Sequence, residues 1–155
     1  TSPQTCLDAI SGDYRFVADH CAQGVITIRD LQNSTSSTIQ PPSDVIGYRL
    51  MGSSRFSPTG DRVAFALAQG NPDDERGWVA IAPSSGGASK LVLVGDPGSY
   101  YTVQGWLDDQ TLLVQSVPVM CTTGTCSSQL YTVGVDGSNP TKVAEGNFLT
   151  IIDNR

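Results

Sequence analysis

The sequence predicts an all-β fold assembled from three copies of one four-stranded antiparallel unit. Three observations predict it. An Asp-centred turn recurs at 48-residue intervals, at Asp13, Asp61 and Asp109, and a repeat of that period signals stacked modules. Gly, Pro, Ser and Asn interrupt the chain so often that no window sustains the 3–4–7 spacing of an amphipathic helix. Between those interruptions lie short runs rich in Val, Ile, Leu, Phe, Tyr and Thr, the composition of strands.

The elements follow in the same order in each copy. A first strand precedes the turn, at Thr5–Ile10, Tyr48–Phe56 and Tyr101–Trp106. A second follows it, and here Ala64-Phe65-Ala66-Leu67 and Leu112-Leu113-Val114 are apolar at every position. Strands that do not alternate have both faces covered by protein. A polar hairpin loop leads to a third run, Val25–Ile28, Trp78–Ala82 or Leu130–Val133. Turn clusters at Asp30–Ser34, Pro83–Gly87 and Asp136–Ser138 lead to a last short strand at Ser37–Ile39, Lys90–Val94 or Thr141–Ala144. The predicted units span about 4–44, 45–98 and 99–146, and residues 147–155 read as the first strand of a further one.

Four short strands per unit, with the second buried on both faces, describe blades of a β-propeller, since such a unit covers its apolar faces only between neighbours. The segment Phe56-Ser57-Pro58-Thr59-Gly60-Asp61-Arg62-Val63-Ala64-Phe65 resembles the W-S-P-D-G-K-x-I-A-F repeat of TolB-like, WD40-like propellers, a repeat also found in the propellers of prolyl-oligopeptidase-type peptidases. Leu130 to Ser138 similarly resembles that family's third strand and turn. The turns of blades one and three, aligned on Asp13 and Asp109, each read as one residue short and lack the proline, and Thr59 stands where the family has Asp. Three blades make a partial ring, or half of a ring completed by a second copy, so self-association or a missing propeller segment is expected.

The chain is 155 residues long, which fits a single domain. Nine Lys and Arg against fifteen Asp and Glu give a net charge of −6, which argues against a nucleic-acid or anionic-lipid partner. No run of 18 apolar residues occurs, so membrane insertion is not expected, and no charged leader precedes a short apolar stretch. Four cysteines in two local pairs suggest disulfides: Cys6 with Cys21, and Cys121 with Cys126 across a hairpin tip. That chemistry implies an extracytoplasmic setting, whether periplasmic, secreted or on the cell surface. The spacing matches zinc-finger pairs poorly, and no metal or other cofactor is expected.

No catalytic set emerges. The single histidine, His20, is placed next to Cys21 in a hairpin loop, and no G-x-S-x-G occurs. Asn71 to Arg76 reads as a solvated acidic hairpin tip, and Ser84 to Ser89 as a turn. Asp108 and Asp109 are assigned to turn chemistry, and most aromatic residues to packing; Tyr100 and Tyr101 remain as candidate binding aromatics. The expected function is therefore a non-catalytic, extracytoplasmic module that binds a protein, peptide or glycan. Alternatives are the propeller portion of a larger peptidase-type enzyme and the extracellular sensor domain of a membrane receptor or kinase.

Overall fold

The computed structural model describes residues 7–22, 25–71, 74–119, 127–138 and 140–146, with the side chains of 21 and 22 left out. The terminal segment predicted as a further strand, 147–155, lies outside the described residues. The strands pair in three consecutive antiparallel groups. In the first, β1 (Leu7–Ile10), β2 (Phe16–Ala22), β3 (Val25–Asp30) and β4 (Thr35–Gln40) are neighbours in chain order. The second comprises β5 (Arg49–Phe56), β6 (Arg62–Gln69), β7 (Arg76–Pro83) and β9 (Lys90–Val94). The third comprises β10 (Ser99–Asp108), β11 (Thr111–Pro118), β12 (Gln129–Gly134) and β13 (Thr141–Glu145).

The apolar runs are divided between two cores by the pleat of the strand, which sends successive side chains to opposite faces. Val63, Phe65 and Leu67 of β6 join Trp78, Ala80 and Ala82 of β7 in one cluster with Ala18, Ile26, Ile28 and Ile39 of blade one. The intervening Ala64, Ala66, Val79 and Ile81 join Val103, Leu112, Val114 and Val133 of blade three. Blade two thus buries both faces, and its β6 turns the large side chains toward blade one and the alanines toward blade three.

A second device ties the blades at their outer edges. The predicted turn Ser84–Ser89 contains a two-residue strand, β8 (Gly87–Ala88), which pairs in parallel with Ile39 and Gln40 of blade one. Gly86 makes this approach feasible: its φ is +85°, and a Cβ there would lie 2.5 Å from Ser37 Oγ. Gly137 repeats the contact one blade on, since its Cβ would meet the Val92 carbonyl of β9 at 3.2 Å.

The turn register differs from the one expected. Ser11 N–H donates to Phe16 O at 2.9 Å and Ser57 N–H to Arg62 O at 2.9 Å. Ser11 Oγ accepts from Phe16 N–H, and Ser57 Oγ from Arg62 N–H. Tyr14 and Gly60 close the same backbone turn, both with positive φ. Asp13 therefore matches Thr59, not Asp61, and the turn of blade one is as long as that of blade two. Only blade three is a residue shorter, its strands running up to the pair Asp108 and Thr111. The 48-residue spacing misaligned the first pair of turns because Tyr14 stands in the glycine position, where the Asp-Gly signature is lost.

Candidate functional site

With that register, Phe16 and Arg62 occupy equivalent positions at the start of the second strand, and Phe56 and Trp106 equivalent positions at the end of the first. The joint between blades one and two is filled there. Phe16 and Phe56 stack with centroids 6.4 Å apart and planes at 21°, and the Arg15 guanidinium lies 4.6 Å from the Phe16 ring. At the next joint a cation replaces the phenylalanine. The indole N–H of Trp106 turns to the Arg55 carbonyl at 3.0 Å, and Arg62 Nη1 donates to the Asp109 carbonyl at 3.2 Å. Beside Arg62 lies an open groove of about 380 Å³ lined by Asp61, Arg62, Ile81, Pro83, Lys90 and Val135, among others. That volume lies within the range of small-molecule and side-chain pockets.

Cross-strand pairing explains why these side chains share a wall. Arg62 pairs with Pro83 and Ala64 with Ile81, and Ile81 pairs with Lys90. Directly opposed residues project to the same face, as do residues two apart along a strand. Arg62, Pro83, Ile81 and Lys90 therefore all face blade three, where Val135 forms the opposite side.

The groove carries both signs of charge with an aliphatic middle. Asp61 is held below the usual carboxylate range, first by the Thr59 hydroxyl at 2.7 Å, opposed by burial and assisted by the Ser57 hydroxyl at 2.8 Å. It stays ionised, 3.8 Å from Arg62 Nε. Lys90 Nζ reaches the Asp136 carbonyl at 3.5 Å. Arg62 and Lys90 were not singled out from the sequence, because isolated basic residues at strand starts look like ordinary surface charge. The absence of an aromatic residue at the Phe16 position was the readable signal, and it required the correct turn register.

The residues selected from the sequence lie elsewhere. Tyr100 and Tyr101 sit at the opposite end of β10 from the groove, pairing with Val117 and Ser116. Tyr101 is 9% exposed and belongs to the second core, and burial raises its phenol pKa above the ordinary value. Tyr100 is half-buried. His20 and Cys21 lie within β2, correcting the expected loop; His20 Nδ1 is 3.7 Å from the buried Asp8 carboxylate, which accepts the Ser54 N–H at 2.8 Å. The acidic segment is not wholly solvated either: Glu75 is 3% exposed and pairs with Arg49 of β5. Of the disulfide candidates, Cys6, Cys121 and Cys126 lie outside the described residues, as does the side chain of Cys21. Asp109 and Asp108 act in the turn, accepting from Thr59 and from Gln110 N–H.

No family model matches the chain, and no curated protein matches it. Solved structures do. The chain is similar to an oligogalacturonate lyase in complex with manganese, at TM-score 0.59 and 11% identity over 86% of this chain and 38% of that one. It is similar to an oligogalacturonate lyase from Vibrio parahaemolyticus, at TM-score 0.61 and 13% identity over the same two shares. Dipeptidyl peptidase 4 from Porphyromonas gingivalis aligns at TM-score 0.63 and 10% identity over 91% of this chain and 25% of that one. The chain thus spans well under half the length of these proteins, and the likeness establishes the fold: blades of a β-propeller.

Proposed function

We propose that this chain is a non-catalytic β-propeller module that works outside the cytoplasm and binds a peptide or glycan partner in the groove between its second and third blades. The observation that carries this reading is the exchange of an aromatic plug for a cation: where Phe16 stacks on Phe56, the equivalent Arg62 borders open volume. Replacing a half-buried, stacked ring by a guanidinium forfeits packing, a cost that a binding role would explain. The extracytoplasmic setting rests on the two local cysteine pairs.

The test probes arrays of immobilised peptides and oligosaccharides with the wild-type chain and with Arg62→Phe. That substitution installs the side chain the first joint already accommodates, so folding is expected to survive, as circular dichroism would verify. Ligand signals should fall at least tenfold. Binding indifferent to Arg62→Phe would place the ligand elsewhere and refute the groove as the site.

A second reading makes the chain the propeller portion of a larger peptidase-type enzyme. It is favoured by the alignment of 91% of the chain with a quarter of dipeptidyl peptidase 4. Sequencing the gene on both sides decides it: this reading requires an α/β-hydrolase segment in the same open reading frame.

A further inference from the structure

Resting on the groove as a binding site, we propose that its occupant is an extended peptide segment whose aliphatic side chains cover Ile81, Pro83 and Val135 and whose acidic side chain meets Lys90. The charges set the polarity. Arg62 already faces the Asp61 carboxylate and the Asp109 carbonyl, at 3.8 and 3.2 Å. Lys90 is exposed; its ammonium contacts the Asp136 carbonyl at 3.5 Å and acts only at longer range on the Asp136 carboxylate. Of the two groove cations, Arg62 has a carboxylate within 4 Å and Lys90, among the described residues, has none. Lys90 stands at the end of the groove away from Asp61, and a carboxylate arriving there gains a charge-assisted bond without approaching that acid.

The wall between the two ends favours a peptide over a sugar. Ile81, Pro83 and Val135 offer aliphatic surface, whereas sugars are commonly held against aromatic ring faces. Both tryptophans are engaged elsewhere, Trp78 in the first core and Trp106 with its indole N–H on the Arg55 carbonyl. Length also fits. Arg62 and Lys90 stand two strand spacings apart and two residues out of step, which gives about 12 Å between their Cα atoms, or about four residues of extended chain.

The experiment is fluorescence anisotropy on the full chain with two labelled peptide amides, Gly-Val-Pro-Val-Glu-Gly and its Gln counterpart. The Glu peptide should bind at least fivefold tighter than the Gln peptide. Lys90→Glu should remove that preference and transfer it to a Lys-bearing version, a gain that misfolding could not produce. Equal affinity for Glu and Gln, or no binding of the Glu peptide, overturns the assignment. Capture of a uronic-acid tetramer that depends on Arg62 while the peptides fail to bind overturns the peptide but leaves the groove as a site. If no ligand on the arrays depends on Arg62, both readings fall.

Discussion

Tyr14 and Gly60 hold the same position of the same turn, with φ of 60° and 74°. Each N–H donates to the carbonyl of the serine three residues earlier, at 2.9 and 2.8 Å. A side chain in the left-handed region costs roughly 1–2 kcal/mol, partly offset in Tyr14→Gly by the greater entropy of an unfolded glycine. Tyr14 is 76% exposed, so little packing is lost. Tyr14→Gly should therefore stabilise the chain by about 0.5–1 kcal/mol, and Gly60→Ala should destabilise it by about 1 kcal/mol. Urea denaturation of the two variants checks both signs, and a loss of stability in Tyr14→Gly would refute the equivalence.

Gly77 governs how closely blade three approaches blade two. A Cβ at this position would lie 2.6 Å from Tyr100 Cα and 2.8 Å from Tyr101 N, both backbone atoms that cannot rotate away. Gly77→Ala is expected to cost about 3 kcal/mol, the upper end for overpacking. Thermal melting should show it, whereas Gly105→Ala, with nothing within 4 Å of the added carbon, should change stability far less.

Thr59 joins the turns of blades two and three. Its N–H donates to Asp109 Oδ1 at 3.1 Å, and its hydroxyl lies 2.8 Å from that oxygen and 2.7 Å from Asp61 Oδ1. One hydroxyl proton serves two carboxylates. Thr59→Val keeps the shape and the N–H but removes that proton, and should cost about 1 kcal/mol at this exposed site. A double-mutant cycle with Asp109→Ala should return a coupling of about 0.5–1 kcal/mol; additive effects would show that the inter-blade bond contributes nothing.

Acid should unfold the protein. The Arg15 guanidinium, by hydrogen bonding, holds Asp30 well below the usual carboxylate range. Asp13 is lowered first by the Ser11 hydroxyl, Asp61 by that of Thr59 and Asp136 by that of Ser138. Because these folded-state values lie below the unfolded ones, their contribution is complete above the unfolded carboxylate pKa of about 4 and is lost as pH falls from there through the folded values. The urea midpoint should therefore be flat from pH 7 to 5 and drop below about pH 4. In Asp30→Asn the drop should be shallower; an unchanged slope would show that Asp30 is not a contributor.

What the sequence by itself determined is the module and its number. The unbroken apolar runs at Ala64–Leu67 and Leu112–Val114 demanded protein on both faces; the observed cores divide the first run residue by residue, while Leu112 and Val114 of the second both join the core shared with blade two. Turn residues and strand composition placed β9 at its observed limits and most other strands within two residues, because both signals are local. Tertiary structure decided three things that local chemistry does not encode. It set the register of the first turn, where Tyr14 adopts a glycine conformation. It turned Gly87–Ala88 into a strand, since that pairing needs the edge of another blade. And it opened the groove at Arg62, because whether a joint is filled depends on which side chains two blades bring together, a distance in space that spacing along the chain does not measure.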